Sequence, residues 1–251
     1  MFVSRVRLRG GRGGAGALAA FLSRSAESAG QAHHLIWSLF GDRGGARHFL
    51  YRMDGPSASR PVTVLSPEPP RDPFGLWEVE TKRFALLENL RDGDAVEWLL
   101  RVNATRKHEV VEGGKARTKR RCLVSNARRA GDARDDLAIA AEAVPAWLAP
   151  RLLAGGLGPT TPVEAQGPEA DAAALARDMA VTAFTRARFG RGPGERDEVT
   201  VSATDLRGRG VVRSADALRA ALPVGFGAAR AYGCGLMLLR RGPGRAPMTS
   251  A

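Results

Sequence analysis

Cysteine is nearly missing from this chain. Only Cys122 and Cys234 occur in 251 residues, far apart and in no CxxC pair. That excludes a disulfide scaffold and a cysteine-held zinc or iron–sulfur site. Histidine is scarce too, at 33, 34, 48 and 108, and neither HExxH nor HxH occurs, so neither a metal nor another cofactor is expected. Lysine occurs only at 82, 107, 115 and 119, which leaves arginine to supply most of the positive charge. Acids are outnumbered: 26 Asp and Glu stand against 38 Lys and Arg, a net charge of +12. No apolar run approaches the ~18 residues of a membrane span. The opening MFVSRVRLRG lacks the apolar stretch of a secretory leader. A cytoplasmic protein without a membrane partner is expected.

What is present is an ordinary globular composition, 44% hydrophobic and 25% charged. The length suits one large or two small domains. The shortage of acids predicts an anionic partner, and without a lipid-binding amphipathic helix nucleic acid leads. The charge is concentrated. Between Arg101 and Arg129 ten basic residues face two acids, Glu109 and Glu112. The densest part is KARTKRR. Each neutralised phosphate releases counterions, so Lys115, Arg117, Lys119, Arg120 and Arg121 are candidate phosphate contacts. The plainer alternative is a solvated basic loop.

Along the chain, FVSRVRL (2–8) alternates, with Phe2, Ser4, Val6 and Leu8 on one face, as in a half-buried strand. A glycine-rich turn follows, then a helix over 15–40 with a break expected around Ser25–Ser28, stopped by Gly41–Gly45. Strands are expected at 47–53, 61–65 and 94–103. Strand, helix, strand, strand and a closing strand make the βαββ core of a ferredoxin-like domain. Farther on, 135–154 reads as helix interrupted by Pro145 and Pro150, and 155–170 as loop. Segments 179–189 and 198–206 read as a hairpin, Ser214–Ala221 as a helix capped by Ser214, and Ala231–Arg240 as a last strand. The expected architecture is therefore α+β, two tandem ferredoxin-like (RRM-like) domains: 1–130, 131–245, and a disordered tail at 246–251. On the hairpin, Arg186, Arg188 and Arg191 are candidates to reach a nucleic-acid groove.

Two motifs carry chemistry. In HHLIWSLF, His33, Trp37 and Phe40 fall at i, i+4 and i+7 of one helix face. Trp37 and Phe40 anchor that face, and His33 sits at its edge near a helix start, where a phosphate is favoured. His34 points about 100° away. In GFGAARAYGCGLMLL, glycines at 225, 227, 233 and 235 frame a loop whose N–H groups are candidates to cradle phosphate, with Arg230 inside it. A dinucleotide-binding turn is excluded because the spacing is not GxGxxG and no helix follows.

Together these motifs, with LRVNATRK at 100–107, resemble the CasE family, the repeat-processing endoribonucleases of subtype I-E CRISPR systems. Order and spacing are similar from residue 1 to about 241. The resemblance implies two ferredoxin-like domains and binding of a CRISPR repeat hairpin. It implies cleavage at the 3′ base of the stem and retention on the crRNA with the other subunits of the Cascade complex. It gives the histidine at position 33 a part in general acid–base cleavage. Family members often carry a Tyr three residues before that His, where this chain has Gly30.

RNA carries its own nucleophile, the 2′-OH. A protein that aligns it, moves protons and stabilises phosphorane charge needs no metal. Histidine suits proton transfer and arginine suits phosphate. The expected activity is thus a metal-independent endoribonuclease leaving a 2′,3′-cyclic phosphate and a 5′-hydroxyl. The alternative is a non-catalytic RNA-hairpin-binding subunit.

Overall fold

The computed structural model describes residues 1–9, 35–40, 48–53, 61–112, 115–161, 167–190 and 198–243. The first sheet is built from β1 (Phe2–Leu8), β2 (Leu50–Met53), β3 (Val62–Ser66) and β4 (Trp77–Arg83), in the order β2-β3-β1-β4 with every pairing antiparallel. That is the strand order of a ferredoxin-like domain. In β1 the expected alternation holds: Ser4, Val6 and Leu8 are buried while Arg5 and Arg7 are exposed. Its apolar face packs on Leu35, Ile36, Leu39 and Phe40. Residues 35–37 are helical, and three successive i→i+3 backbone bonds then tighten the chain through Phe40.

After the short helix α1 (Ala85–Glu88) comes β5 (Ala95–Val102), then a two-stranded ribbon, β6 (Thr105–Glu112) and β7 (Lys115–Cys122). Helices α2 (Leu123–Arg129) and α3 (Asp136–Ala154) lead to β8 (Leu157–Gly158), α4 (Pro168–Arg177), β9 (Met179–Gly190), β10 (Glu198–Val212), α5 (Ala215–Val224) and β11 (Met237–Arg241). The second sheet has the order β11-β5-β10-β8, with β9 also on β10. It repeats the ferredoxin-like order, so the chain is α+β with two ferredoxin-like domains. β8 and β9 lie in series along one edge of β10: Gly158 pairs Val211 and Met179 pairs Gly208. One edge strand is thus interrupted by a segment that carries α4. Asp178 closes the base of this segment, accepting from the Thr160 amide at 2.7 Å and its hydroxyl at 2.8 Å.

Several expectations need correction. The strand at 94–103 does not close the first sheet; as β5 it pairs with β10 and β11 in the second. β4 closes the first sheet instead, and the sequence pattern misses it because Trp77 is the one buried side chain of this edge strand. The strands therefore change sheets between Arg83 and Ala95, and a boundary at 130 does not follow them. Nor do the prolines break α3. Each forfeits one N–H bond but keeps a helical φ, and the helix buries Ile139, Val144, Trp147, Leu148 and Leu152. Among the described residues α3 is the one helix long and apolar enough to cross a membrane, yet it forms part of the second core. Asp135 caps it by accepting from the Ala138 amide, and Ser214, as expected, caps α5 by accepting from Ala217. The expected loop at 155–170 contains β8 and the first turn of α4, and the last strand begins at Met237 rather than Ala231. The expected tail lies outside the described residues.

The second core leaves no room at Gly208, where a Cβ would stand 2.2 Å from Cζ2 of Trp98. The Gly208→Ala variant should lose about 2 kcal/mol or more by overpacking. Thermal unfolding should show a melting temperature lower by roughly 5 °C. An unchanged melting temperature would mean that the Trp98 ring is free to move aside.

Candidate nucleic-acid interface

The basic stretch is a ribbon, and pairing sets bases against bases. Arg106 lies opposite Arg121, Lys107 opposite Arg120 and His108 opposite Lys119. Like charges directly across a strand pair are unfavourable, and a polyanion relieves that cost. Arg106, Lys107, Lys119 and Arg120 are exposed, and Arg121 is half-buried. Lys115 and Arg117 hold register positions opposite Glu112 and Val110. His108 is tied down: the side-chain amide of Asn126 on α2 donates to its Nε2.

A second basic arm stands beside the ribbon. β9 and β10 continue as a pair past the end of β5, since β10 meets β5 only from Thr204 onward. Arg186 and Arg188 are exposed on this arm. Arg186 donates to the Ser125 hydroxyl on α2 at 3.3 Å and lies 3.6 Å from Asp136. α2 therefore touches both arms, His108 on one and Arg186 on the other. Arg191 lies outside the described residues. So do His33 and His34, but the turn after them is placed: Trp37 and Phe40 make edge contacts with His48 and pack on Phe49. His48 is thus an aromatic-cluster residue.

The glycine-rich segment takes a different part from the one its sequence promised. All four glycines have positive φ, between 77° and 92°, which explains the residue type. Gly225, Gly233 and Gly235 are buried, however. The Gly225 amide donates to Ala221 O and the Gly235 amide to Arg101 O at 2.7 Å. The reading of these buried glycines as an exposed phosphate cradle is corrected: they are covered by the fold, and the N–H groups of Gly225 and Gly235 are spent inside it. A Cβ at Gly225 would press on Leu50, and one at Gly227 on Trp147. Ala229, Tyr232 and Cys234 pack on Val199, Val201 and Ala203 of the arm, and the buried Tyr51 donates its hydroxyl to Ala231 O at 2.7 Å. Arg230 is half-buried and donates to Gly227 O at 3.1 Å. The segment is a hub on which both sheets, α3 and the arm converge.

LRVNATRK is structural at the same place. Leu100 is core, Arg101 holds Asp205 in a fork at 2.9 and 2.7 Å, Asn103 bridges Ala228, and Thr105 O accepts from the Trp147 indole at 3.1 Å. Arg52 of β2 reaches the same Asp205 at 3.1 Å, and Arg101 also donates to Met53 O. Among the described residues no three His, Cys, Asp or Glu side chains gather as metal ligands. Asp92 and Asp94, two positions apart, serve the backbone: Asp92 accepts from Ala215 and Asp94 from Arg91.

A model of the CRISPR-associated protein family matches residues 1–241. The chain belongs to that family. Among curated protein sequences none matches this CRISPR-associated chain. Among solved structures it is similar to CRISPR-associated Cas6e from Escherichia coli K-12, at 20% identity and a TM-score of 0.62, covering 96% of this chain and 100% of that one. It is also similar to Thermus thermophilus Cse3 bound to an RNA representing a pre-cleavage complex, at 19% identity, a TM-score of 0.60 and coverages of 95% and 98%. A chain of a CRISPR RNA-guided surveillance complex matches at 18% identity, with a TM-score of 0.59 and coverages of 96% and 100%.

Sequence reasoning on this CRISPR-associated chain missed the Asp205 junction, because Arg52, Arg101 and Asp205 carry no local signature. Asp205→Ala would remove the carboxylate shared by two mostly buried guanidiniums and should cost about 3 kcal/mol. Arg52→Ala leaves the Arg101 fork intact and should cost clearly less. Urea midpoints would show this order, and the reverse order would remove Asp205 from its central place. Close by, burial pushes the Cys234 thiol up to about 12, whereas Cys122 is only half-buried. A raised thiol pKa keeps the unreactive protonated form at pH 8. Iodoacetamide on the folded chain should then label Cys122 and spare Cys234, and mass spectrometry of the digest would reveal the opposite.

Proposed function

We propose that this chain is a cytoplasmic CasE-type endoribonuclease. It binds the stem-loop of a CRISPR repeat and cuts the precursor at the 3′ base of the stem. It then stays on the mature crRNA with the other Cascade subunits. The observation that carries this reading is the family match over residues 1–241, joined to a fold shared along its length with Cse3 bound to RNA. The ribbon and the arm supply the charge such an RNA requires. Lys107, Lys119, Arg120 and Arg121, with Lys115 and Arg117 on the same ribbon, and Arg186 and Arg188 beside them, are the phosphate and groove contacts of this proposal, to which Arg191 is added from its sequence position alone. Arg230 and Gly227 are assigned to the edge of that surface.

His33 is the proposed general acid or base, and the nucleophile is the RNA 2′-OH. The protein's work is to align that hydroxyl with the leaving 5′-oxygen, transfer protons and neutralise phosphorane charge. Tyr51 is excluded as a substitute for the tyrosine missing at Gly30, because it is fully buried and its hydroxyl is engaged.

His33→Ala should abolish cutting and leave hairpin binding nearly intact, while His34→Ala keeps most activity. Cleavage should persist in excess EDTA. A single 2′-deoxy nucleotide 5′ of the scissile phosphate should block it without weakening binding. End-group analysis should find a 2′,3′-cyclic phosphate and a 5′-hydroxyl. A 3′-hydroxyl with a 5′-phosphate, or complete loss of activity in chelator, would sink internal attack and the role of His33.

A further inference from the structure

One cationic site lies outside the residues assigned above. On α3 the guanidinium of Arg151 lies over the Trp147 ring, its Cζ 4.0 Å from the ring centroid. The same side chain donates through Nη1 to the Trp147 carbonyl. Trp147 is itself fixed. It is buried, its indole N–H is spent on Thr105 O at 3.1 Å, and its far edge abuts Gly227. An arginine pinned on a fixed ring has lost most of its rotamer freedom before any ligand arrives.

Thr105, whose carbonyl takes the Trp147 indole N–H, is followed by Arg106, the first base of the ribbon, so the backbone brings Arg106 next to the ring that carries Arg151. Burial first, and then the charge of Arg106, lower the Arg151 guanidinium from its ordinary value. It remains a cation at any working pH. Among the described residues neither Arg106 nor Arg151 has a carboxylate within ion-pair distance, although Arg7, Arg128, Arg134, Arg213, Arg219 and Arg240 all do. Two guanidiniums held near each other with no counter-charge, one of them preorganised by stacking, make a site for an anion.

We propose that Arg106 and Arg151, braced by Trp147, form a clamp that takes a single phosphodiester of the bound RNA beside the glycine-rich hub. The assignment of the occupant rests on the RNA-processing reading above. The clamp joins ribbon to hub, because Trp147 contacts Thr105 on one side and Gly227 on the other. A phosphate gripped there fixes the register of the strand against the protein, so both arginines are positioning residues.

Two measurements on the full chain test this. In the first, dimethyl phosphate is titrated while the side-chain Nε–Hε resonance of Arg151 is followed by NMR. A saturable shift that disappears in Arg106→Gln is expected. Linear drift alone, or an equal response in Arg106→Gln, would overturn the clamp. In the second, binding of a labelled GC-rich RNA stem-loop with single-stranded flanks is measured across a salt series. Arg106→Gln and Arg151→Gln should each weaken binding about tenfold, the size of one charge-assisted contact. Each should also make the log–log salt slope shallower by about one. The double variant should lose no more slope than either single one, because the two share one phosphate. Additive slope losses, or unchanged slopes, would overturn the proposal. Arg151→Lys keeps a charge and a packing stem but not the guanidinium stack. It should melt like the native chain and recover only part of the affinity, whereas a purely structural Arg151 would leave the salt slope of every Arg151 variant untouched. A native chain that saturates with dimethyl phosphate but ignores the stem-loop would overturn RNA as the occupant, and with it the proposed function.

Discussion

The carboxylate of Asp205 is shared by Arg101, its neighbour across β5 and β10, and by Arg52 from the first sheet. All three side chains are mostly shielded from water, with exposures of 15%, 22% and 14%. A buried ion group of this kind adds little net stability, because desolvation offsets attraction, but it strongly penalises any arrangement that separates its members. Its role here is to fix where the second sheet sits on the first. Leu50, Leu65 and Leu236 pack between the sheets. Arg101 also offers its carbonyl to Gly235, so the position of the junction becomes the position of the glycine-rich segment.

From that hub the working surfaces follow. The segment packs on the base of the β9–β10 arm, on Tyr51 of the first sheet and, through Gly227, on Trp147 of α3. α2 then carries Asn126 to the ribbon and Ser125 to the arm. Two basic arms that would otherwise repel each other are held side by side by neutral contacts and by one carboxylate, Asp136. The like-charge pairing on the ribbon costs stability in the free chain. Such a cost is tolerable where a polyanion is the intended partner, since release of counterions and loss of repulsion then act in the same direction.

Much of the candidate site was legible and some of it misled. The charge of 101–129, the hairpin at 179–206 and the cap at Ser214 follow from residue type and spacing, because each depends on neighbours a few positions away. The glycines were legible as special backbone but not as buried backbone. Positive φ serves a tight internal turn as readily as an exposed cradle, and sequence does not say which side of the chain is covered. Arg151 was invisible for a related reason. Its significance comes from a tryptophan one helical turn back and from an arginine 45 positions earlier, and only packing brings the latter near.

By itself the sequence determined the α+β class, the excess of positive charge, the family motifs and the alternation that buries one face of β1. These are local properties, written in periods of two or in turn chemistry within a few residues. Tertiary structure alone decided which sheet β5 joins, that polar β4 closes the first sheet, and that Asp205 is the point where the sheets meet. A strand's own pattern records only that one face is to be covered. Which partner covers it, and which distant arginine finds which carboxylate, is settled by the sum of contacts across the whole chain.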